Sequence, residues 1–134
     1  MNTPPSQASK TVRDILLLLA GAVLYRAIFW AAMPRVLDTA DAIHYIETAR
    51  HFAAGAFFAH HPKIPMLYPL LCAWLHSLVP DWETAARLVS FAASVLVVAP
   101  VYGLARALHD TATARVAALI VVIWPWLADY GCRV

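Results

Sequence analysis

Ile15 to Met33 is a nineteen-residue apolar run interrupted only by Arg26, and Leu88 to Ala105 is eighteen uncharged residues held between Arg87 and Arg106. At about 1.5 Å per residue, a helix of either length crosses a hydrocarbon core of about 30 Å. Inside lipid the backbone N–H and C=O groups must be satisfied within each segment, so two such runs dictate helices. Composition removes the soluble alternative. Hydrophobic residues make up 62% of the chain and charged ones 13%, with a mean hydropathy of +0.66, against about 45–50% and about 25% in soluble domains. A soluble fold of 134 residues has no interior large enough for that apolar surface. The expected fold is all-α: a polytopic membrane helical protein.

The remaining boundaries follow from charges and prolines. Residues 1–11 are polar with two prolines and read as a disordered cytoplasmic tail. Lys10 and Arg13 before an apolar run resemble a signal peptide, but the run continues through aromatics to Met33, so the first span is expected to be retained. Pro100 inside the second run is tolerated as a kink. A third span begins near Ala112, with an uncharged core of thirteen residues from Val116 to Ala128, Arg115 snorkelling at one end and Asp129 at the other interface. Ile64 to Pro80 is apolar too, but Pro65, Pro69 and Pro80 divide it. Pro69 suits a first helical position, which leaves a helix of about eleven residues, or about 16 Å, too short to cross. The expectation is therefore three transmembrane helices plus two juxtamembrane helices in the first outer loop, with the tail inside and Asp38 to Glu83 outside. Lys10, Arg13, Arg106 and Arg115 then fall inside, and Arg35, Arg50, Lys63 and Arg87 in the long outer loop. The counts tie, and only density along the chain favours this orientation. The scattered net charge of +2 excludes nucleic acid as a partner, and Cys72 and Cys132 have neither metal-ligand nor disulfide-framework spacing.

The chemistry concentrates in the outer loop. Asp38 and Asp41 open an amphipathic helix where the chain leaves the bilayer. Ile43, Ile46, Ala49 and Ala53 form its apolar stripe, with His44, Glu47 and His51 on the other side and Gly55 ending it. The acids can be a cap and a first-turn acid, or they can meet a polar substrate or a metal. A second polar cluster, His60, His61 and Lys63, can be a solvated interfacial loop, or its lysine can hold a phosphate. Adjacent histidines are not a zinc motif. Arg26, about 10 Å inside the first span, can snorkel outward or bind an anionic lipid head group.

The ordered set of Asp41, Tyr45, Ala49 and Arg50, then the His-Pro…Tyr-Pro-Leu-Leu stretch from His61 to Leu71, then Glu83 and Arg87 to Ser90 leading into Pro-Val-Tyr-Gly-Leu-Ala-Arg, is similar to the N-terminal part of the GT-C membrane glycosyltransferases. These include the dolichyl-phosphate-mannose protein mannosyltransferases and the bacterial enzymes that transfer aminoarabinose to lipid A. The resemblance covers residues 12–134 and implies the N-terminal part of a GT-C transmembrane domain that continues beyond Val134. It implies a glycosyltransferase that takes a sugar from a polyprenyl-phosphate donor to an acceptor hydroxyl or lipid, in the bacterial inner membrane with the active loop facing outside. It maps the family's conserved acid onto Asp41, where Ala42 replaces the second acid many members carry. The site expected on that basis has Asp41 and Asp38 as catalytic acids. Tyr45, His60, His61, Lys63, Arg26 and Arg87 contact substrate, and Asp41 is the ligand for a candidate divalent cation, Mg²⁺ or Mn²⁺. The partners are the lipid-linked donor and membrane lipid. The rival readings are a non-catalytic transporter or lipid-binding subunit, which would place its polar residues near the midplane of its spans, and an inactive remnant.

Overall fold

The structure is a computed structural model that describes residues 7–32, 40–57 and 63–134, and every described element is helical. Seven helices follow in order: α1 (Gln7–Ala32), α2 (Ala40–Ala53), α3 (Leu67–His76), α4 (Trp82–Leu96), α5 (Val98–Leu108), α6 (Thr111–Ile123) and α7 (Pro125–Tyr130). Two stretches are long and apolar enough to cross a bilayer, Ala8–Ala32 and Trp82–Leu108. They coincide with the two runs that the sequence marks. The first begins several residues before Val12, where the tail was expected to end.

The second stretch is α4 and α5 joined at Val97. Pro100 cannot donate to the Leu96 carbonyl, and the helix steps just there: α4 ends at Leu96 and α5 starts at Val98. Backbone bonds from Val97 to the Ala93 carbonyl and from Val101 to the Val97 carbonyl carry the chain through the step.

The third expected span departs from expectation. Instead of one helix through Ala128, α6 stops at Ile123 and the short α7 begins at Pro125. Trp124 between them is extended, with ψ 111°. Proline disfavours helical geometry in the residue before it, which accounts for the position of the break. At thirteen residues, α6 rises about 20 Å. Among the described residues two stretches therefore have spanning length, and α6 and α7 are each shorter than a bilayer crossing.

The core lies between the long helices. Ala22 of α1, Val95 of α4, Val98 and Tyr102 of α5, and Ala114, Ala118 and Val122 of α6 form one buried cluster. Ala114 and Ala118, four residues apart on one face, let α6 approach its neighbours closely, the packing mode favoured where lipid removes the hydrophobic drive between helices. The α5–α6 turn is short because Asp110 caps α6, accepting from the Thr113 backbone N–H at 2.7 Å. That bond to the ionised form holds the Asp110 carboxyl below the usual carboxylate range. Many large side chains of the long helices point outward, among them Leu16, Leu17, Leu24, Ile28, Leu96, Leu104 and Leu119, as a lipid-facing surface requires.

The two short helices pack against one end of this bundle, where Ala49 of α2, Cys72 of α3 and Ala86 of α4 make a second cluster. The face that α2 buries is Ala42, Ile46, Ala49 and Phe52. It is rotated from the expected stripe, because Phe52 outweighs Ala53 in apolar area and takes the buried side while Ile43 is left half exposed. Gly55 closes α2 as the sequence indicates: its φ of 77° is left-handed, and the Ala56 N–H returns 2.8 Å to the His51 carbonyl. Pro69 sits in the first turn of α3, two residues later than expected, where its missing N–H has no partner to lose.

Candidate functional site

A cleft of about 650 Å³ opens where the short helices meet α4 and α7. Asp41 and Tyr45 of α2 form one wall, Tyr68 of α3 and Ser90 of α4 the floor, and Trp126, Asp129, Tyr130 and Arg133 the far wall. Asp41 and Tyr45 lie one helical turn apart, which puts both on the same face. Asp41 is exposed in the first turn of α2, where the helix dipole favours its charge. Tyr45 meets Tyr68 edge to face, with ring centroids 5.1 Å apart.

The floor is a fixed polar unit in an apolar setting. The Tyr68 hydroxyl donates to the Ala86 carbonyl at 3.1 Å and pairs with the Ser90 hydroxyl at 2.9 Å. Burial pushes the Tyr68 hydroxyl above the usual phenol range, so it stays protonated. On the far wall, Arg133 donates to Asp129 through two nitrogens, at 3.0 and 3.1 Å. Asp129 lies in α7 and Arg133 beyond the turn that follows it, so the pair ties that turn back onto the helix. The cleft thus presents a carboxylate on one side and a carboxylate–guanidinium pair on the other.

A second trough of about 380 Å³ shares Tyr68, Ser90 and Tyr130 with the cleft and continues along Ala93 of α4, Val97 at the α4–α5 joint and Leu127 of α7. Its lining is almost wholly apolar. The combined groove has a polar mouth and a greasy tail.

Of the residues singled out from sequence, the structure brings Asp41 and Tyr45 together on this cleft. Lys63 is exposed ahead of α3 and does not line it. Asp38, His60 and His61 lie outside the described residues. Arg26 neither snorkels nor reaches the cleft: it is 0% exposed and turned inward. It donates to the Ser94 hydroxyl at 2.9 Å and to the carbonyls of Val121 and Val122 at 3.3 and 3.4 Å. Pro125 has no N–H to return to the Val121 carbonyl, and Arg26 supplies the missing donor. Arg87 is also buried, at 4% exposure. Its guanidinium stacks 4.4 Å over the Trp30 ring and donates 2.8 Å to the Cys132 carbonyl.

Among the described residues, which exclude Asp38, His60 and His61, no three His, Cys, Asp or Glu side chains gather at one point. The cleft offers two carboxylates on opposite walls, and one is already held by Arg133.

Sequence reasoning missed the floor and the far wall. Tyr68 and Ser90 fall within the stretches that carry the family resemblance, but neither stands out there as a site residue. Asp129 and Arg133 lie four residues apart at the end of an apolar run, where Asp129 reads only as an interfacial end-marker.

Comparison with curated proteins and with solved structures gives no match. The sequence profile of the dolichyl-phosphate-mannose-protein mannosyltransferase family matches residues 60–134, more than half of the chain. That stretch contains the floor and the far wall of the cleft, while Asp41 and Tyr45 precede it. An apolar helical bundle whose polar cleft sits at one end accords with that match, and the chain belongs to the dolichyl-phosphate-mannose-protein mannosyltransferase family of GT-C membrane glycosyltransferases.

Proposed function

We propose that the cleft receives a polyprenyl-phosphate sugar and that Asp41 acts on the acceptor during transfer of the sugar. The observation that carries this reading is the continuity of the groove. A polar mouth bearing Asp41, Asp129 and Arg133 runs past Tyr68, Ser90 and Tyr130 into an apolar trough along α4. A lipid-linked sugar has that same division, a charged and hydroxylated head on a hydrocarbon chain. The isoprenoid lies along Ala93, Val97 and Leu127, and the sugar phosphate lies at the mouth.

The reaction then runs as an inverting displacement. The Asp41 carboxylate accepts the proton of the acceptor hydroxyl while that oxygen forms its bond to the anomeric carbon. The bond from that carbon to the phosphate oxygen breaks, and its electron pair leaves with the polyprenyl phosphate. The Arg133 guanidinium offsets the charge that grows on the departing phosphate. Tyr68, kept protonated, spends its one hydrogen on the Ala86 carbonyl and fixes the floor beneath the sugar phosphate. On this reading the loop between the two long spans, which carries Asp41, faces the outside of the cell membrane.

A transporter would want polar groups free along its spans. Arg26, the charge deepest in α1, is consumed in bonds between helices, which supports the enzyme instead.

The test is transfer of radiolabelled sugar from a polyprenyl phosphate in membranes carrying the parent protein or Asp41→Asn. The substitution preserves size and removes the base, so loss of about 10²–10⁴-fold in rate is expected with donor binding retained. Activity within a few-fold of the parent would leave Asp41 a first-turn helix acid and nothing more.

A further inference from the structure

The far wall of the cleft is the end of a six-residue helix and the turn after it, too little structure to hold two charged side chains in place by itself. What holds it is a set of contacts made by residues outside the cleft, and they converge on Gly131 and Cys132. Arg87 of α4 donates to the Cys132 carbonyl at 2.8 Å. The Cys132 thiol points to the Arg26 carbonyl of α1, 3.4 Å away. Gly131 rests directly on Ser94 of α4: a Cβ there would fall 2.5 Å from the Ser94 Cβ and 2.9 Å from the Leu127 carbonyl oxygen. Its φ of −69° is open to any residue, so glycine is required here for space and not for conformation. Arg87 is itself locked by the Trp30 ring beneath it and by Glu83 3.8 Å away, so its donor cannot swing aside.

We propose that Arg87 is a positioning residue. Together with the Gly131–Ser94 contact it clasps the turn after α7, and so sets where Asp129, Tyr130 and Arg133 stand in the cleft. The clasp is a property of the fold. Its consequence for transfer rests on the reading of the cleft as the sugar-donor site, and the two are measured separately.

Cys132 is 1% exposed and lies inside the clasp, so its alkylation by a maleimide reports the clasp alone. In the full-length chain carrying Cys72→Ala, Cys132 should react slowly. Arg87→Met and Gly131→Val should each raise that rate by about tenfold or more through local opening, and Arg87→Lys, which keeps one donor, should recover part of the protection. A companion chain without native cysteines, carrying Ala118→Cys in the α1–α5–α6 core, should stay protected under the same substitutions. Unchanged protection of Cys132 in Arg87→Met and Gly131→Val overturns the proposal. An equal rise at position 118 overturns it too, because the contacts would then be holding up the bundle and not the wall. Failure of the transfer reading appears instead as absent turnover by the parent with these thiol rates intact.

Discussion

Replacing Arg26 with leucine tests whether a buried charge in the first span is a structural bolt. The Arg26 guanidinium makes three bonds to other helices: one of 2.9 Å to Ser94 of α4 and two longer ones to the ends of Val121 and Val122 in α6. A hydrogen bond to a charged group contributes about 1.5–3 kcal/mol, and the two long ones belong at or below the lower limit, so the gross loss is about 4–5 kcal/mol. Leucine recovers part of this, because the cation no longer has to be stripped of water. The carbonyls left without a donor are not repaired, since Pro125 offers no N–H, so the net cost is about 2–3 kcal/mol. For a chain of this size that corresponds to a fall of roughly 10 °C in Tm, readable by near-ultraviolet circular dichroism of the purified protein in detergent. Arg26→Lys should recover less than half, because an ammonium is a point donor that cannot span Ser94 and both carbonyls. A leucine variant melting within about 2 °C of the parent, or a lysine variant fully restored, would refute the bolt.

Three further outcomes follow from the same geometry. Cysteines placed at Ala56 and Ser77, on a background without Cys72 and Cys132, should react with an impermeant thiol reagent from the same side of intact membranes, because α3 is ten residues long and rises only about 15 Å; labelling from opposite sides would make it a span. Burial pushes the Cys72 thiol from 9.0 up to about 11, so its alkylation in the folded chain should stay slow through pH 9 and climb only toward 11. The sign follows from linkage: a folded pKa above the unfolded one gives stability that is full below about 9 and lost as pH rises through about 11, visible as a falling Tm over that window. Removing the Arg133 charge with Arg133→Gln should weaken binding of a polyprenyl phosphate about tenfold or more while a neutral polyprenol is unaffected; equal loss for both ligands would assign Arg133 to packing.

The fold was legible where it depends on local chemistry. Two long apolar runs and a glycine at the end of α2 each impose their structure through bonds within a few residues, whereas the Asp110 cap before α6 went unread. Where those bonds compete with larger apolar groups the reading slipped, as with the α2 face that Phe52 turns. Pro125 was visible in the sequence, but its effect was not weighed: lipid tolerates a proline when a neighbouring helix supplies the lost donor. Here that donor is Arg26, ninety-six residues away from Val122.

That pairing explains why the site itself was only half legible. Asp41 and Tyr45 announce themselves by spacing on one helix. Arg26 looked like a ligand for an anionic lipid because a lone arginine in an apolar run asks for a counter-charge, and Arg87 was expected to contact substrate. In the folded chain backbone carbonyls answer that need, at the broken end of α6 for Arg26 and at Cys132 for Arg87. A carbonyl is present at every residue and leaves no trace in the sequence. The only available hint was that both orphaned ends lie close to Pro125 and Gly131, the residues that interrupt a helix. The break that defeats a third regular span therefore also turns Asp129 and Arg133 toward Asp41. Healing it with Pro125→Ala should lengthen α6, release Arg26 from the Val121 carbonyl and take the charged pair out of the cleft, so a gain in helix content should accompany a loss of donor binding.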